Sequence, residues 1–128
     1  MNSQQPLTQF IRETLGCGCP DEVFRSIETS SDGETTSIRV GGRLLVHLCR
    51  FAQGVDEEFV IRQWLQRGRD ERDGAGFNRL RLVLPASSRE AVLRRRFDAE
   101  CASDDRLHLH FIAAAEHARI WALCADRD

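Results

Sequence analysis

The sequence predicts an α/β domain with a mixed sheet, and three observations carry that reading. Apolar residues recur at helical spacing in several separate stretches. Other stretches alternate apolar and polar, as half-buried strands do. The two kinds of stretch follow one another along the chain, which implies strand–helix–strand crossovers and parallel strands. At 128 residues the chain has the usual size of one domain, so residues 1–128 are expected to form a single unit with a core of its own.

Leu7, Phe10, Ile11 and Leu15 predict a first helix over residues 6–15, with Pro6 in its first turn and Gly16 at its end. Pro20, Asp21 and Glu22 suit the start of a second helix over 20–28, and Val23, Phe24 and Ile27 form its apolar stripe. Residues 29–34 read as a loop. Ile38 and Val40 alternate before Gly41-Gly42, which permits a tight turn into a second strand from Leu44 to Phe51.

Asp56-Glu57-Glu58 followed by Phe59, Val60, Trp64 and Leu65 predicts a helix, with Gly68 as its stop and residues 68–79 as a polar, charged loop. Leu80, Leu82 and Leu84 alternate in a strand closed by Pro85. Ser87 and Glu90 have capping-box spacing ahead of a helix to about Cys101. Leu107, Leu109 and Phe111 form a fourth strand, and the Ala-rich tail 113–125 reads as a helix, with a strand from Ile120 to Cys124 as the alternative. The expected architecture is a two-layer sandwich with a mixed four-stranded sheet, in the order α-α-β-β-α-β-α-β-α. Polar faces on the last two strands suggest helices mainly on one side of the sheet.

Composition excludes some functions. A net charge of −2 lacks the basic footprint that nucleic-acid binding requires. No run approaches the apolar length of a membrane helix, and the polar N-terminus does not read as a secretory signal, so the cytoplasm is the expected compartment. All 18 basic residues are Arg. Background composition explains that, as would a surface built for bidentate anion contacts. Five cysteines, an odd number without an export signal, argue against a disulfide scaffold.

Cys17-Gly18-Cys19-Pro20 is the most chemically loaded motif. Cys19 would cap the second helix, where free N–H groups stabilise a thiolate. Asp21 and Glu22 would oppose that effect. Gly18 lets the two cysteines approach closely, and a disulfide across one residue would be strained and readily reduced. The thiols could instead hold a soft metal such as zinc, or part of an iron–sulfur cluster. The spacing differs from the Cys-x-x-Cys of thioredoxin-like motifs, and the motif follows a helix rather than a strand, so that activity does not carry over.

A second metal site would need His108 and His110, which share one face of their strand, to meet His47 and Cys49, which share one face of theirs. A third candidate is an anion pocket at Ser87, Ser88 and Arg89, where a strand ends and a helix begins. The charged stretch 67–79 could recognise a protein partner; its Gly74-x-Gly76 lacks the third glycine of a dinucleotide fingerprint. No nucleophile elbow, P-loop or His-Glu-x-x-His is present.

The stretches Leu15–Phe24, Gly76–Leu84 and Leu107–His110 resemble those of a family of small bacterial proteins, over most of residues 7–112. The resemblance implies no activity and leaves the C-terminal tail uncovered. Three functions remain as expectations: a thiol-based redox or metal-binding accessory protein working through Cys17 and Cys19, a self-associating or partner-binding interaction module, and a binder of an anionic ligand at Ser87-Ser88-Arg89.

Overall fold

A computed structural model describes residues 4–127. Its sheet is built on two tight turns. Asp32-Gly33 joins β1 (Ile27–Ser31) to β2 (Thr35–Val40). The Asp32 carboxylate accepts from the backbone N–H groups of Glu34 and Thr35, and Gly33 takes the positive φ that such a turn requires. Gly41-Gly42 then joins β2 to β3 (Leu44–Cys49), again with positive φ at both glycines.

Two helical crossovers complete the sheet. α2 (Glu57–Ala75) leads to β4 (Arg79–Pro85), and α3 (Glu90–Ser103) leads to β5 (Leu107–Ile112). The N-terminal helix α1 (Gln4–Gln9) continues as a π-helical turn through Phe10–Thr14, and α4 (Ala114–Arg127) ends the described chain. None of these helices is long and apolar enough to cross a membrane.

The strands lie in the order β1-β2-β3-β4-β5, antiparallel across the first three and parallel from β3 to β5. The three parallel strands and the antiparallel hairpin partner match the sequence reading. The sheet, however, has five strands rather than four. The expected second helix shrinks to a five-residue 3-10 turn (Asp21–Arg25), and the segment after it pairs as β1. Only Ile27 of β1 is buried, so an edge strand with polar residues on both sides lacks the alternation that marks the others.

The layering differs as well. Moving from β3 to β4 to β5 is a shift in one direction, so crossovers of one hand place α2 and α3 on the same face. There Leu45, Leu80, Leu82 and Leu84 pack with Trp64, Leu65, Leu93 and Phe97. On the other face Ile38, Val46, Leu48 and Val83 pack with Leu7, Phe10 and Ile11 of the N-terminal helix and Ile120 and Cys124 of α4. The arrangement is three layers. The buried His117 seats α4, its Nε2 2.8 Å from the carbonyl oxygen of Cys49.

The charged stretch 67–79 is not a loop. α2 runs through it to Ala75, and Gly76 ends the helix in the left-handed region. Gly68 is buried mid-helix, where an added Cβ would meet Leu80 Cδ2 at 2.6 Å. It lets α2 lie close on the sheet. Arg72, also buried, is paired with Asp73 at 3.0 Å and Asp104 at 2.9 Å.

Two glycines of α2 therefore respond oppositely to the same change. Leu80 is fully buried and would have to shift within a packed core, so Gly68→Ala is expected to destabilise the fold by about 1–3 kcal/mol. Gly74 faces open space, and Gly74→Ala is expected to stabilise by up to about 1 kcal/mol through helix propensity. Urea unfolding of both variants checks the pair, and equal effects would contradict the packing role of Gly68.

Candidate functional site

The π-helical turn sets the position of the Cys-Gly-Cys-Pro segment. Leu15 N–H donates to Phe10 O and Cys17 N–H to Ile11 O, while Gly16 at φ +73° reverses the chain. Arg12 and Asp21 close the segment from outside with an ion pair of 2.5 Å. Between these clamps Cys17 is buried and Cys19 is partly exposed. Their sulfurs lie 2.9 Å apart as free thiols.

Cys19 does not cap an α-helix. Pro20 takes the N-cap position of the 3-10 turn, so the expected helix stabilisation of a thiolate is absent. Burial instead holds the Cys19 thiol above its ordinary pKa, aided by its contact with Cys17. The positive charges of Arg43 and Arg79 oppose that rise. The expected opposition by Asp21 is redirected, since its carboxylate turns to Arg12.

The thiols open on a cavity of about 330 Å³ lined by Cys17, Cys19, Arg43, Asn78, Arg79 and Arg81 among others. Arg79 and Arg81 reach it because alternate residues of β4 share a face. The Arg43 carbonyl accepts from the N–H groups of Asn78 and Arg79, which fixes the rim where β3 and β4 begin. Arg81 is 7% exposed. Its Nη1 lies 2.7 Å from Leu15 O, the carbonyl at the end of the N-terminal helix, and 2.9 Å from His110 Nε2. Its Nε is buried without a hydrogen-bond partner. Among the described residues none of Arg43, Arg79 and Arg81 forms an ion pair.

Arginine has only donors, so His110 Nε2 accepts and the imidazole is neutral with its proton on Nδ1. Burial, then the charge of Arg81, pushes its pKa down to about 4. His108 is pushed down for the same reasons. The histidine pair and the cysteine pair thus lie on one face of the sheet, with Arg81 between them.

His47 and Cys49 lie on the other face. Pairing of His47 with Leu82 and of Leu82 with Leu109 puts His47 beside α2, whereas Arg81 pairs with His108. The four proposed ligands therefore do not converge. His47 instead meets Glu71 at 3.2 Å, and Glu71 also pairs with Arg39. The buried Cys49 thiol is pushed upward by burial. Among the described residues no three His, Cys, Asp or Glu side chains come together as metal ligands. At Cys17 and Cys19 the neighbouring guanidiniums repel a cation and attract an anion.

The third candidate is internally satisfied. Ser87 Oγ accepts from Arg89 N–H and lies 3.4 Å from a carboxylate oxygen of Glu57, whose other oxygen is 3.9 Å from Arg89. Glu57 supplies the anion there. Ser88 is exposed, and Arg89 rather than Ser87 takes the N-cap position of α3, with no side-chain cap, so the expected capping box does not form.

The arginines were missed in the sequence. Arg79-x-Arg81 is a visible period-two pair opposite the leucine stripe, but its nearness to the cysteines comes only from sheet register and the N-terminal helix. No family model, curated protein or solved structure matches this chain.

The neutral His110 has a measurable consequence. Between about pH 4 and the ordinary histidine value of 6.5, the unfolded chain binds its proton while the folded chain does not. Stability should therefore fall as pH drops through that window and be insensitive to this group above it. The pKa values of His47, His108 and His117 are lowered too and add to the slope. His110→Gln keeps an acceptor for Arg81 without titrating, so urea midpoints from pH 7 to 4 should decline less steeply than in wild type. An unchanged slope would sink the assignment of His110 as a buried neutral acceptor.

Proposed function

We propose that the protein is a thiol–disulfide redox protein in which Cys17 and Cys19 interconvert between a dithiol and an intramolecular disulfide. The observation that carries this reading is the 2.9 Å approach of two free sulfurs at the wall of an open cavity. Cys19, the more exposed thiol, attacks a disulfide sulfur of the co-substrate. One small thiolate leaves, taking up the proton released from Cys19. Cys17 then attacks the Cys19 sulfur of the mixed disulfide, and the second thiolate leaves with the proton from Cys17. Two electrons pass from the protein to the co-substrate, and the reverse sequence oxidises two thiols.

The raised Cys19 pKa limits the thiolate fraction at neutral pH, so exchange should accelerate as pH rises. A ring closed across one residue is strained, which makes the oxidised form readily reduced and suits a donor of disulfides.

Redox titration tests the reading. The protein is equilibrated in glutathione buffers of graded poise, quenched with an alkylating agent and weighed by mass spectrometry. The expected result is one Cys17–Cys19 disulfide, formed in a two-electron transition at a potential above about −230 mV. Cys17→Ser and Cys19→Ser should each abolish it. Failure to form that disulfide at any poise, with only intermolecular products, would end the redox reading.

A further inference from the structure

Three guanidiniums around two thiols is an unusual balance of charge. Arg43 and Arg79 are exposed at the rim, and Arg81 is 7% exposed at the wall. None has a carboxylate partner among the described residues, although most other arginines do. A buried guanidinium normally finds an anion, because desolvating it uncompensated is costly. Arg81 meets a carbonyl and a neutral imidazole instead, and its Nε has no partner. The nearest groups able to carry negative charge are the thiols, and Cys19 is held towards its neutral form.

Other regions carry less. The groove between the N-terminal helix and α4 contains Glu13 and Glu116 beside Arg119 but, among the described residues, no buried unpartnered group. The cavity at His108 and His110 has His108 Nε2 buried without a partner, yet among the described residues no set of three metal ligands converges there. The exposed Phe59 and Val92 have nothing beside them that identifies an occupant.

We infer that the cavity beside Cys17 and Cys19 selects a small thiol or disulfide bearing an oxyanion, with Arg43, Arg79 and Arg81 holding that group. This rests on the redox reading above and adds to it the substrate class. At about 330 Å³ the cavity has room for a compound of that kind. Planar donor forks suit a carboxylate or a phosphate, which both accept bidentate hydrogen bonds. The electron and proton balance is the one already given. The arginines act by raising the local concentration of the anionic co-substrate and by fixing its disulfide near Cys19.

The test compares three symmetric disulfides in excess over the fully reduced protein. These are 3,3′-dithiodipropionate (two carboxylates), bis(2-hydroxyethyl) disulfide (neutral) and cystamine (two ammonium groups). Each rate of small-thiol release is divided by that of a Cys-Gly-Cys-Pro peptide, which removes intrinsic reactivity. The normalised rate should be about tenfold or more higher for the dianion than for cystamine at low salt, and the ratio should shrink as salt rises. In Arg43→Gln/Arg79→Gln, which alters exposed residues without ion pairs among the described residues, the ratio of dianion to neutral rate should collapse, and any slowing from the loss of two positive charges beside the Cys19 thiol should be common to all three disulfides.

Inorganic phosphate and acetate as competitors separate the two oxyanion classes, the stronger inhibitor marking the preferred group. A flat charge series in wild type would overturn the substrate class and leave the redox reading standing. Reaction with none of the three would overturn the redox reading. Calorimetry of dithiodipropionate with Cys17→Ser/Cys19→Ser then judges the arginine pocket alone. Binding lost on adding Arg43→Gln/Arg79→Gln supports it, and no binding overturns it.

Discussion

Arg81 ties together the parts of the molecule on which the site depends. Its Nη1 reaches both the last carbonyl of the N-terminal helix, at Leu15, and the ring of His110 on the edge strand. A helix end leaves carbonyls without intrahelical partners, and a cation there also answers the helix dipole. The residue that follows that carbonyl is Gly16, and then the cysteine segment begins. One buried side chain thus fixes where the segment departs, keeps an imidazole neutral and presents positive charge beside two thiols. Two neutral acceptors offset only part of the cost of burying that charge, and Nε is left without a partner.

The sequence made the central sheet legible where its residues alternate. Leu80, Leu82 and Leu84 read as a strand by their alternation, and Gly41-Gly42 as a tight turn between two strands, although the structure buries both faces of β3 and β4. It concealed β1, because an edge strand with one buried residue has no stripe to read. Asp32-Gly33 was the available signal, flanked by Ser and Thr rather than by apolar residues. It concealed the last turns of α2 for a different reason. Gly68 looked like a stop because glycine weakens helices, but close packing on Leu80 requires it there. Arg72 looked like a loop residue because the sequence could not reveal Asp104 as its partner.

The site divides in the same way. Cys17 and Cys19 stood out because their spacing is local. Their arginines did not, since Arg43, Arg79 and Arg81 meet the thiols only after β3 and β4 are in register and the N-terminal helix is laid on the sheet. The same register separates His47 from His108 and His110 by the thickness of the sheet. Alternation along each strand was readable; which faces coincide was decided by a pairing that no single strand encodes.

The location of the cavity follows from the topology. Ligands of open α/β sheets usually bind at the carboxyl ends of the strands, in the crevice where strand order reverses. Here the order never reverses, so both crossover helices lie on one face and leave no such crevice. At that end Glu57 of α2 meets Ser87 and Arg89 ahead of α3, so polar groups that could have received a ligand satisfy one another. The amino end differs because no crossover helix begins there. Backbone bonds from Asn78 and Arg79 to the Arg43 carbonyl hold the starts of two parallel strands together, and the chain leaving the N-terminal helix passes beside them. Arg79 and Arg81 must point to that side because the leucines between and beyond them point to α2 and α3. The requirement that β4 bury one face of leucines is therefore what turns its arginines towards the cysteines.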